Sequence, residues 1–118
     1  MMHFVCNIVC AFSIFLVFSA TVYADEFSKY KVVYEGEEGT GKGKHIVYIA
    51  SDHEYRGEEA LPALARIMAK RFGFKCTVLF GLNPKDDTLL AGSSDIKGLH
   101  ILEDADLMVL AMRFINLE

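Results

Sequence analysis

Apolar positions along this chain gather into short runs, and between two of them the pattern changes to a helical repeat. Ile46, Val47, Tyr48, Ile49 and Ala50 form an unbroken apolar run. Such a run, without alternation, marks a strand buried on both faces of a parallel sheet. Beyond it, Leu61, Leu64, Ala65, Met68 and Phe72 fall at i, i+3, i+4, i+7 and i+11, while Arg66, Lys70 and Arg71 lie off that stripe. That spacing predicts an amphipathic helix. Basic residues gather in its last turn and Gly73 ends it, as the helix dipole and C-cap preferences require. Pro62 fits only a first turn, so regular helix is expected from near Glu59, with Glu58 and Glu59 beside its positive end.

Residues 74–80, rich in β-branched and aromatic side chains, predict a second strand, closed by Gly81-Leu82-Asn83-Pro84. A loop containing Asp86-Asp87, Gly92-Ser93-Ser94-Asp95 and Gly98 leads to a short helical turn at 99–103. A third apolar strand follows at 107–112. The order β-α-β-α-β predicts an α/β domain. With right-handed crossovers its three parallel strands take the flavodoxin-like order 2-1-3, as the first part of a three-layer α/β/α sheet. Residues 25–43 form a polar, Gly-containing arm expected to lie along the surface, with residues 30–34 its only strand-like piece.

The two ends of the chain carry separate expectations. Residues 4–18 are almost wholly apolar and end in small residues, and every charged side chain lies from Asp25 onward. This layout is that of a secretory signal peptide, residues 1–24, cleaved between Ala24 and Asp25, with an uncleaved membrane anchor over residues 4–20 as the alternative. Secretion or periplasmic export follows, and any membrane contact runs through that segment alone. Cys6 and Cys10 depart with it, leaving Cys76 with no internal disulfide partner. The sequence stops after Arg113-Phe114 with no further helix to cover the third strand. Residues 44–118 therefore look like the N-terminal part of a truncated domain of marginal stability.

Net charge is −4. With no basic stripe, nucleic-acid partners are excluded as an expectation. Residues 36–43 nearly match a phosphate loop, G-x-x-x-x-G-K-[ST], but Gly43 stands where the hydroxyl belongs, and the segment precedes a strand where it should follow one. A flexible linker is the expectation there.

Candidate chemistry lies in Asp52-His53-Glu54-Tyr55-Arg56, immediately after the first apolar strand. Open α/β sheets bind ligands beyond the carboxyl ends of their strands, and the order 2-1-3 brings this loop near Arg113 at the end of the third. His53 and Glu54 are the candidate catalytic pair, a tunable acid and base. Asp52, Tyr55, Arg56 and Arg113 are the candidate substrate-binding residues. No metal is expected, because consecutive side chains diverge and H-E-x-x-H is absent. A purely structural role stands beside these: Asp52 caps the following turn, Glu54 pairs with Arg56, and Glu58 and Glu59 neutralise a helix end. Cys76 reads as a core thiol, and His45 and His100 as strand-edge and surface residues.

Gly41-Lys42-Gly43-Lys44-His45-Ile46-Val47, the D-H-E-Y-R segment, Glu59-Ala60-Leu61-Pro62-Ala63-Leu64-Ala65, and Asp106-Leu107-Met108-Val109 before Arg113-Phe114 together resemble the trehalose-utilisation (ThuA-like) family. The resemblance spans residues 31–118. It implies a class I glutamine-amidotransferase-like, flavodoxin-like domain linked to sugar metabolism, with a small sugar-type ligand and no cofactor. In such folds the nucleophile and its partner histidine lie beyond the third strand, so no residue here takes those roles. The 52–56 loop and Arg113 become walls of the family's pocket. Two functions follow: a hydrolase-like carbohydrate enzyme, or a non-catalytic sugar-binding or interaction module.

Overall fold

A computed structural model describes residues 28–113. The expected signal segment with its Ala24–Asp25 cleavage, and the alternative anchor over residues 4–20, lie outside the described residues. No helix among the described residues is long and apolar enough to cross a membrane.

Chain order is a 3-10 turn Ser28–Tyr30, β1 (Lys31–Tyr34), β2 (His45–Ser51), α1 (Gly57–Phe72), β3 (Lys75–Leu82), β4 (Asp95–Ile96), a 3-10 turn Leu99–Asp104, and β5 (Leu107–Met112). The sheet order is β1-β3-β2-β5, with β4 on the end of β3. β2 lies between β3 and β5 and is parallel to both, Ile46 facing Cys76 on one side and Leu107 on the other. The expected order of the three parallel strands is therefore present. The sheet as a whole is mixed, because β1 pairs antiparallel with β3, Lys31 opposite Leu79 and Tyr34 opposite Cys76. The arm thus extends the sheet along β3 where a loose surface course was expected, since Val32, Val33 and Tyr34 supply a β-prone edge.

Alternate residues of β2 and β3 feed two cores. Ile46, Tyr48, Ala50, Cys76, Val78 and Phe80 pack under Leu61, Ala65 and Ala69 of α1. Val47, Ile49 and Leu79 face the other way, against Ile96, Ile101 and Leu102. The second layer is thus a 3-10 turn and not an α-helix; six residues between Gly98, in the left-handed region, and Ala105 are too few to sustain α-helical turns.

Two expectations about α1 are corrected. It starts at Gly57, so Pro62 sits in its second turn. The missing N–H leaves the Glu58 carbonyl without its usual helical donor, and packing of the apolar face holds the turn. Its buried stripe is Gly57, Leu61, Ala65 and Ala69, with Leu64 and Phe72 more than 40% exposed. Small side chains let the helix lie close to the strands, and that draws the narrow i, i+4 row inward ahead of the larger residues.

The 36–43 glycines form no slack linker either. A Cβ on Gly36 would stand 2.2 Å from the Gly73 carbonyl carbon, and one on Gly41 would stand 2.4 Å from the Phe74 ring. Gly41 donates its N–H to the Phe72 carbonyl at 2.7 Å. The turn therefore closes over the negative, carbonyl-bearing end of α1, the opposite polarity from a phosphate cradle.

Candidate functional site

Ser51, the last residue of β2, is buried, and its hydroxyl donates to the Ser93 carbonyl at 2.5 Å. Ser93 in turn donates its hydroxyl to the Leu82 carbonyl at 2.5 Å and accepts from the Asp95 N–H at 3.1 Å. These bonds draw the 83–98 loop over the end of β2. Gly81 makes the approach feasible, since a Cβ there would fall 2.2 Å from the Ser51 hydroxyl oxygen.

The chain then turns on Asp52. Its side chain is buried, and Oδ1 accepts the backbone N–H of Glu54 at 2.6 Å and of Tyr55 at 2.8 Å. Those two donors hold the carboxyl below the usual carboxylate range. Asp52 thus shapes the loop that carries its neighbours. Arg56 takes a left-handed conformation, φ 54°, as α1 begins, and its guanidinium pairs with Glu59. The pairing of Arg56 with Glu54 weighed from sequence is therefore corrected: an i, i+3 partner on the first turn is the nearer carboxylate.

Glu54 reaches across instead to Arg113, directly after β5, and the two form an ion pair. The Arg113 guanidinium also lies over the Tyr55 ring, 5.8 Å from its centroid, with the phenol oxygen 3.4 Å from Nη1. The ring itself is 72% exposed. Gly57 lets the start of α1 settle on β5, where an added Cβ would meet the Ala111 Cβ at 3.1 Å. His53 is exposed and rests against Gly92: a Cβ on Gly92 would lie 3.0 Å from the His53 Cβ and 3.2 Å from Nδ1.

Glu54, Tyr55 and Arg113 therefore converge, His53 faces the 83–98 loop, Asp52 lies beneath, and Arg56 stands apart on the helix. Sequence reasoning missed the loop wall, Gly92 and Ser93, and the Ser51–Gly81 contact under it. The Gly92-Ser93-Ser94 turn was the available signal, but nothing local ties it to β2. No group of three His, Cys, Asp or Glu side chains suited to a metal occurs among the described residues.

An exposed aromatic ring, a carboxylate and a guanidinium thus lie together, the two charged groups paired with each other. The chain is an α/β domain with a mixed sheet, and these polar side chains lie beyond the carboxyl ends of adjacent parallel strands. Comparison with protein-family models, curated proteins and solved structures gave no match to this chain.

Proposed function

We propose that this chain is a secreted, flavodoxin-like domain of the trehalose-utilisation type that takes a sugar at the ends of β2 and β5. The observation that carries this reading is the convergence of Glu54 and Tyr55, just after β2, with Arg113, just after β5, although Glu54 and Arg113 are 59 residues apart in sequence. The Tyr55 ring offers an apolar face to a pyranose, while Glu54 accepts and Arg113 donates hydrogen bonds to its hydroxyls. Sequence resemblance to the ThuA-like family supports the sugar class, and the site's position beyond the strand ends supports its use for a ligand.

Calorimetric titration with trehalose, maltose and sucrose tests the reading. Binding of at least one is expected, weakened about ten- to a hundredfold by Arg113→Ala, as loss of a charged hydrogen bond implies. No heat with any disaccharide, or equal affinity in the variant, would overturn it. Product formation that persists in His53→Ala would remove that histidine from any mechanism.

A further inference from the structure

Away from the strand ends, the 83–98 loop is held at a second point. Asp87, at φ 58°, occupies the left-handed region, which Asp and Asn adopt more readily than other residues with a side chain. Its N–H donates to the Asn83 carbonyl at 2.8 Å, and the Thr88 carbonyl accepts the Asn83 N–H at 2.8 Å, which closes a tight turn. The Asp87 carboxylate is gripped from two sides. Tyr30 donates its phenol hydroxyl to Oδ2 at 2.8 Å, and the Lys97 ammonium pairs with Oδ1. Lys29 and Lys97 each place an ammonium 4.6 Å from the Tyr30 ring centroid.

Beyond this point the loop is held by hydrogen bonds, local ones at Asn83 and Asp86, the Ser93 bonds, and the β4 pairing with Gly81 and Leu82, and by few apolar contacts. Leu89 and Leu90 are 60% and 45% exposed, and of its apolar side chains only Ile96 enters a core. The loop regains the sheet at the Leu82–Leu89 bridge and at the Leu90 N–H, which donates to Gly81 at 3.0 Å. Only Thr88 separates that bridge from Asp87, so a shift at Asp87 is passed on with little slack. Past the bridge come Gly92, against the His53 ring, and Ser93, on Ser51.

We propose that Tyr30, Asp87 and Lys97 form a clasp by which the strand at the sheet edge sets the position of the 83–98 loop, and through Gly92 the position of His53. Tyr30 and Lys97 are positioning residues in this scheme; neither touches the sugar site. Treating His53 as a site residue rests on the functional reading above, but the clasp is tested without any ligand, so the two fail independently.

Tyr30→Phe removes one donor and leaves the ring between its ammonium groups. Asp87→Asn keeps an acceptor for Tyr30 and a residue that tolerates the left-handed region, and it deletes the charge facing Lys97. In amide hydrogen exchange, both variants should speed exchange at Leu90 and Ser93 about three- to tenfold, the effect of one lost hydrogen bond, with β2 and β3 unchanged. His53 ring resonances should move as the Gly92 contact loosens. Loop exchange and His53 resonances equal to those of the parent would overturn the proposal. Uniform acceleration across the sheet, or loss of folded far-ultraviolet circular dichroism in both variants, would also overturn it, since a local clasp leaves the sheet intact.

Discussion

His45 shows how one side chain ties stability to pH. Its ring is half-buried at the start of β2, with Nε2 2.8 Å from the Thr77 hydroxyl. Burial first, and the Lys75 ammonium second, hold its pKa below the ordinary histidine value, against a pull upward from the Asp104 backbone. The folded state therefore prefers the neutral ring, and the unfolded chain binds a proton first. Its stabilising contribution is complete above about pH 6.5 and declines as pH falls from there toward the depressed folded value, where it levels off. Urea midpoints at pH 7.5 and 5.5 should fall across that interval in the parent and much less in His45→Gln. A separate acid limb comes from Asp52, Asp87 and Asp106, all held below the usual carboxylate range, Asp106 by Lys44 and the His45 N–H. Their contribution stands above about pH 4 and is lost as pH falls through the folded values. Cys76 behaves as the core thiol read from sequence: it is fully buried, and burial pushes its pKa up, away from nucleophilic use. Beside it, burial raises the Tyr48 phenol to about 12.

Contacts between elements decide whether the loop wall forms. Gly81→Ala should cost about 1–3 kcal/mol, as overpacking does, because its methyl would collide with the Ser51 hydroxyl. Adding Ser51→Ala should return part of that loss, and a double-mutant cycle in urea measures the coupling; strictly additive losses would exclude the contact. This pair also marks the limit of what the linear pattern reveals. The runs at 46–50, 74–80 and 107–112 were legible as strands from their length, their β-branched and aromatic content and the turn residues that bound them, and their order followed from connection handedness; the half-exposed state of the last was not legible. Helix rotation was not legible: Ala69, off the predicted stripe, is buried while Leu64 is exposed, since close approach to the sheet depends on small side chains that carry little hydrophobic signal. The Asp52 turn was legible from its own residue type, whereas the Glu54–Arg113 pair needed strand order as well, being 59 residues apart. The glycine turn at 36–43 was misread as slack because its packing partners, Gly73 and Phe74, lie a whole helix away in sequence.

For the molecule as a whole, β5 is the exposed side of the parallel sheet among the described residues. Leu107, Met108 and Leu110 are each about half exposed, at 53%, 47% and 49%, on a strand with no charge of its own between Asp106 and Arg113. Bare apolar edges pair with one another in solution. Sedimentation should therefore show self-association that rises with concentration, and Leu110→Lys should reduce it; identical sedimentation of the two would exclude this strand as the cause. The same topology has a consequence in time. β2 sits at the centre of the sheet, yet its neighbours come far later in the sequence: Ile46 waits 30 residues for Cys76 and 61 for Leu107. As the chain leaves the ribosome, β2 emerges before both of its parallel partners and stays unpaired on its β5 side until nearly all the described sequence has been made, and that interval is when a chaperone would find most to hold.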